Sequence, residues 1–345
     1  MRTWLASLAL LTLTPLSALA AQEASSAPEE SDLETQPVGP VEFIAYDGTL
    51  PRQIVIEFPA RPEAGFHWPY AAVLPKEPVA GAPLVIVPNN DGRSGALYDT
   101  HRYWALLEAE QTYLRFARPL GAASLVPIFP RPNDEEVGNL YTHALSRAAL
   151  TASDPRLVRI DKQVLAMKAD LRSRLAQEGI ATAERSLIWG FSGAGDFASR
   201  MGLLHPREFC AVAAGGLGGL PILPFEEWKG ESLTYPLGVA DLDSITDRAF
   251  EAEIYRALPH LLLQGGADLN DSVPYRDSYT VEQERLVERH FGMVPPERVP
   301  QMRAIYATFG MAELTYELVP GVEHKVTPPM RETINAFFKR HAPSC

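Results

Sequence analysis

Short apolar runs recur along the chain, and between them apolar positions return at helical spacing. Residues 41–46 and 53–58 read as strands, and the turn Asp47-Gly48 between them predicts a lead-in antiparallel hairpin. Residues 70–74 predict a third strand. Pro83-Leu84-Val85-Ile86-Val87 is continuously apolar and runs into Pro88-Asn89-Asn90-Asp91-Gly92, the pattern of a buried parallel strand feeding a loop. A helix is expected over 103–117 and a strand over 124–129. Ile160, Val164, Met167, Leu171 and Leu175 recur with the period of one helix face. Further strands are expected over 186–189, 210–214, 261–264 and 314–319, with a helix from Gly193 and a last helix burying Met330, Ile334 and Phe337. Strands alternating with helices predict an α/β fold: a mainly parallel central sheet covered by helices on both faces. No internal repeat is present.

Two stretches interrupt the alternation. Residues 217–257 hold Gly218-Gly219, several prolines and Trp228 without a clear period, and 270–310 predict two helices, roughly 277–291 and 297–309. Insertions of this length at strand ends tend to serve as lids, so both are expected to be cap insertions. Gly215-Gly216-Leu217-Gly218-Gly219-Leu220 is not a dinucleotide loop, because the glycines miss the G-x-G-x-x-G register and Pro221 intervenes.

The first forty residues follow other rules. Met1-Arg2 precedes an apolar run from Leu5 to Leu16, and Ala18-Leu19-Ala20 forms an A-x-A cleavage site, which predicts a signal peptide over 1–20. Residues 21–40 carry five acidic side chains and no basic one among Ser, Ala and Pro, a disordered acidic linker by composition. The catalytic domain is expected over 41–345, exported to the periplasm or the medium. No later run reaches about 20 apolar residues, so no integral membrane segment is expected after cleavage.

Composition narrows the chemistry. Of 345 residues 46% are hydrophobic and 21% charged, which excludes wholesale disorder. The net charge of −12 leaves no basic stripe for phosphates, so nucleic acid is not an expected partner. Two cysteines exclude a Cys-rich zinc site, and no H-E-x-x-H or EF-hand loop occurs, so neither a metal nor another cofactor is expected.

Ile188-Trp189-Gly190-Phe191-Ser192-Gly193-Ala194-Gly195 reads as strand, tight turn and helix. A serine on such a turn projects its hydroxyl from the sheet edge, and only small neighbours let the backbone pass so closely. The hydroxyl then lies over a helix N-terminus, whose N–H groups favour a developing oxyanion. Together with Ala198, Arg200, His205-Pro206 and Cys210-Ala211-Val212-Ala213-Ala214-Gly215, this stretch resembles the α/β-hydrolase fold superfamily. Within it, the likeness is to secreted esterases of the polyhydroxybutyrate depolymerase and feruloyl esterase type.

That resemblance implies an acid after a later strand and a histidine after the last. Leu263-Gln264-Gly265-Gly266-Ala267-Asp268 ends a buried run 76 residues after Ser192, and Pro320-Gly321-Val322-Glu323-His324 follows the last strand. Ser192, Asp268 and His324 stand in the chain order of these enzymes. Asp271 is the rival acid on the same loop; Asp268 is preferred because it is nearer the strand end. The oxyanion donors implied are the backbone N–H of Gly193 and one from Asn89 or Asn90, of which Asn90 is chosen. His205 reads as a helix cap and His341 as solvated. Cys210 and Cys345 either pair, pinning the last helix to the sheet, or Cys210 is a small buried hydrophobe.

The expected activity is that of an exported serine hydrolase working through an acyl-enzyme, and the resemblance implies carboxylic esters, small or polymeric, as the bonds it cleaves. Alternatives are a polyester depolymerase or serine peptidase on the same fold, or a non-catalytic binding protein on a hydrolase scaffold. Leu217, Leu220, Ile222, Phe225 and Trp228 could line an acyl pocket or simply pack the cap.

Overall fold

The β-branched and aliphatic runs form the nine strands of one sheet. In this computed structural model, which describes residues 41–90, 94–134 and 138–345, the strands are β1 (Phe43–Ala45), β2 (Val55–Phe58), β3 (Tyr70–Val73), β4 (Val85–Ile86), β5 (Ser124–Pro127), β6 (Ser186–Phe191), β7 (Phe209–Gly215), β8 (His260–Gly265) and β9 (Leu314–Val319). The expected signal peptide and acidic linker lie outside the described residues. Spatial order is β1-β2-β3-β5-β4-β6-β7-β8-β9. From β5 onward every pair is parallel, and β3 is antiparallel to both neighbours.

The first two strands correct the hairpin expectation. β1 and β2 pair in parallel, Phe43 opposite Val55 and Ala45 opposite Glu57. Asp47-Gly48 does turn the chain, but Gln53 takes a positive φ of 60° and turns it again before β2 starts. Two reversals restore the original direction, and Gln53 offers no sequence signal of the second one.

Helices cover both faces of the sheet, as the alternation predicts. On one face Ile188, Val212 and Leu262 pack against α2 (Ile160–Gln177) and α3 (Gly193–Leu204), through Val164, Met167, Leu171, Phe197 and Met201. On the other, Leu187, Trp189, Ala211, Ala213 and Leu261 meet α1 (Tyr98–Thr112) and α6 (Pro328–His341), through Ala105, Leu106, Ala109, Ile334 and Phe338. Strand side chains alternate between the faces, so each long strand feeds both layers. α1 begins five residues before the expected start, because the buried His101 belongs to its inner face and hides the apolar period. Its end widens into a π-helical turn over Tyr113–Ala117.

The two aperiodic stretches are structured. Residues 217–257 contain a two-stranded ribbon (Glu227–Trp228 with Glu231–Ser232) and short helices Leu242–Thr246 and Ala252–Ala257. Leu217, Leu220 and Ile222 are buried in the core shared with α2 and α3, so of the two readings of these residues they follow packing. Residues 270–310 form α4 (Val281–His290) and α5 (Pro295–Phe309). Thr280 accepts from Gln283 N and Gln283 reaches back to Thr280 N, a capping box that sets the start of α4 later than the pattern does. His341 is buried and bonded to Glu313, not solvated. Cys210 and Cys345 form a disulfide.

Candidate active site

The segment after β6 explains the spacing of its glycines. Ser192 is the N-cap residue of α3 with φ 58° and ψ −132°, a conformation that costs a side-chain-bearing residue of order 1–3 kcal/mol. Its backbone N–H donates to Gly215 O on β7 at 3.0 Å, and its carbonyl accepts from Gly195 and Asp196, so strand and helix together hold the strained turn. A Cβ on Gly190 would lie 1.8 Å from the carbonyl oxygen of Ala194, which no side chain survives. A strained serine between a strand buried up to Gly190 and a helix N-terminus has its hydroxyl where backbone N–H groups converge.

Two strands away, the loops after β8 and β9 meet. Gly266 N donates to Val319 O and Ala267 N to Val322 O, which ties the loop of Asp268 to that of His324. His324 Nδ1 is 2.9 Å from Asp268 Oδ2 and 3.1 Å from Oδ1. The aspartate is 1% exposed and also accepts from Gln264 Nε2 at 2.9 Å and from the Asn270 backbone N–H at 3.0 Å. The imidazole lies against Phe191, with ring centroids 4.8 Å apart, so it faces the residue preceding Ser192. Asn270 Nδ2 approaches His324 Nε2 at 2.9 Å. An amide N–H can only donate, so Nε2 is the acceptor and the proton sits on Nδ1, pointing at Asp268. Ser192 Oγ makes no hydrogen bond among the described residues; Asn270 occupies the ring nitrogen a serine would address.

The rival acid is engaged elsewhere. Asp271 forms a two-pronged pair with the buried Arg298, at 2.8 and 2.6 Å. Asn90 sits beside the nucleophile turn, with Nδ2 3.3 Å from Phe191 O, and the following residues 91–93 lie outside the described residues. Asn89 turns inward instead, toward Phe129 and His143. His205 occupies the C-cap of α3, but its ring bonds the buried Asp161 at 2.8 Å and not the helix carbonyls.

Electrostatics single out Asp196, one turn into α3. Burial pushes its carboxyl up to about 6, Arg200 draws it back and Asp277 raises it further, and its Oδ1 has no hydrogen-bond partner among the described residues. Sequence reasoning misses Asp196, Gln264, Asn270 and Tyr141. Gln264 is the one with a signal, a lone amide closing the apolar run Leu261-Leu262-Leu263.

No family model and no curated protein matches the chain. Among solved structures, it is similar to LpqC, a poly(3-hydroxybutyrate) depolymerase from Bordetella parapertussis, at 20% identity over 86% of this chain and 92% of that one, TM-score 0.55. It is also similar to poly(aspartic acid) hydrolase-1 from Sphingomonas sp. KT-1, at 14% identity over 83% and 97%, TM-score 0.54. Sheet order, the strand–serine–helix turn and this likeness lead to one conclusion: the chain has the α/β-hydrolase fold.

Proposed function

We propose that the chain is a serine hydrolase that cleaves carboxylic esters through an acyl-enzyme. The observation that carries this reading is the strained Ser192 turn beside an Asp268–His324 pair whose ring tautomer leaves Nε2 unprotonated, an acceptor now bonded by Asn270. Serine is a poor nucleophile until a base takes its proton. On substrate binding His324 exchanges Asn270 for Ser192; Oγ attacks the ester carbonyl as its proton moves to Nε2, and the imidazolium is stabilised by Asp268. Collapse of the tetrahedral intermediate expels the alcohol, which takes that proton. Water, activated by the same nitrogen, then releases the acid and restores Ser192. The N–H groups of Gly193 and Asn90 hold the oxyanion.

Export to the periplasm or medium belongs to the same reading and is supported by the signal-like residues 1–20. The insertions 217–257 and 270–310 act as the cap over the site. A polymeric ester is the second reading, favoured by the likeness to a polyester depolymerase.

A fluorophosphonate probe tests the core of the proposal. Wild type should be labelled and Ser192→Ala should not, with loss of p-nitrophenyl ester hydrolysis in parallel. Unlabelled wild type, or equal labelling of both, removes the enzyme reading and leaves a binding protein. Clearing of a polyester film separates the polymer reading from action on small esters alone.

A further inference from the structure

The segment after β5 brings one more group to Gly193. Tyr141 is buried, 7% exposed, and precedes a tight helical turn over Thr142–Ala144 that packs on α3. A Cβ built on Gly193 would lie 2.5 Å from the Tyr141 hydroxyl oxygen and 3.3 Å from Asn90 Oδ1. The phenol therefore ends directly over the first residue of α3, on the side where Asn90 also converges. Among the described residues that hydroxyl makes no hydrogen bond, whereas the other tyrosines of this neighbourhood spend theirs on the fold: Tyr235 on Leu145 O and Tyr279 on Leu220 N and Arg200.

The ring is held from behind. The Arg131 guanidinium stacks on it at 3.6 Å from the centroid, and Asp277 fixes that guanidinium at 2.8 Å, with both charged side chains under 10% exposed. Leu140 N donates to Pro132 O and Thr142 Oγ1 to Pro130 O, which anchors the chain on either side. A buried ion pair that clamps an aromatic ring whose hydroxyl has no structural partner is a positioning device.

The geometry points to Tyr141 as a catalytic residue: its O–H donates to the oxyanion that forms when Ser192 attacks, alongside the Gly193 N–H. This inference rests on the serine-hydrolase reading above. Burial pushes the phenol up to about 12, with Arg131 opposing and Asp277 reinforcing, so it remains a donor across the neutral range. Arg131 acts through the ring and is a positioning residue. The arrangement also accounts for Gly193 itself, since any side chain there would displace the hydroxyl.

Tyr141→Phe removes the oxygen and keeps the ring under Arg131. With p-nitrophenyl acetate, kcat should fall by roughly 10²-fold, the usual cost of one oxyanion donor, while KM stays within about threefold. The melting temperature should be unchanged, because no bond of the fold is lost. A trifluoromethyl ketone, which adds Ser192 Oγ and carries a true oxyanion, should lose affinity by the factor that kcat/KM loses. Wild-type kcat and inhibitor affinity in Tyr141→Phe overturn the inference, and so does a loss confined to KM. Failure of the parent reading looks different: wild type itself would then show no Ser192-dependent turnover, which Ser192→Ala establishes first.

Discussion

Asp268 and Asp271 lie three residues apart on one loop yet do opposite work. Asp268 is the shared acceptor of Gln264, the Asn270 N–H and His324, while Asp271 neutralises the buried Arg298. Asp268→Asn should preserve the fold and lower kcat by roughly 10⁴, because an amide can hold the imidazole in the wrong tautomer. Asp271→Asn should act on stability, costing roughly 3 kcal/mol by leaving a buried guanidinium without its counter-charge, with kcat of the folded fraction within tenfold. Thermal melts beside steady-state rates separate the two; a dead Asp271→Asn enzyme with normal melting would reverse the roles. The sequence alone prefers Asp268 only for its place nearer the strand end, since both aspartates follow the same strand. The partner that engages Asp271 is Arg298, contributed by α5 from 27 residues away.

At the scale of elements, legibility follows locality. Ser192, Asp268 and His324 each follow a strand, apolar in the first two cases, and a strand end is a local pattern that a sequence displays. Tyr141 and Arg131 come from the long connection after β5, whose path depends on Asp277 and α3 and leaves no periodic trace. The β1–β2 pair fails for a related reason, because the second reversal is made by Gln53 and not by a glycine. The α6 helix illustrates a long-range link of which the sequence offers only the two cysteines. Cys345, four residues past its end, is bonded to Cys210 on β7 across 135 residues, a closure that in the chain-entropy view stabilises by roughly 2–5 kcal/mol. Cys345→Ser should lower the melting temperature by roughly 4–10 °C, with kcat at 25 °C preserved. Equal melting of wild type with and without a reductant would show that packing of Ile334 and Phe338 alone holds the helix.

For the whole molecule, two buried titrating groups pull the pH dependence of stability in opposite directions. Asp196 is raised to about 6, so between about pH 4 and 6 the unfolded chain has lost a proton that the folded one keeps, and stability falls as pH rises. Burial pushes His260 down to about 4, with its bond to Leu258 O opposing; as pH drops below its ordinary value of 6.5 the unfolded chain takes up a proton the folded one refuses, and stability falls toward acid. The slopes overlap and partly cancel. Asp196→Asn removes the first, so it should match wild type near pH 4 and melt a few degrees higher at pH 7, with a steeper loss on acidification. Melting curves at pH 4, 5, 6 and 7 check this, and parallel profiles would reject it. The disulfide has one more consequence at this scale. Asp268 and His324 both lie inside the loop that Cys210 and Cys345 close, whereas Ser192 lies outside it. A single protease cut anywhere between the two cysteines thus yields a two-chain molecule that stays covalently whole. Asp268 and His324 would remain tethered to the half that carries Ser192, and the nick would become visible only when the protein is reduced.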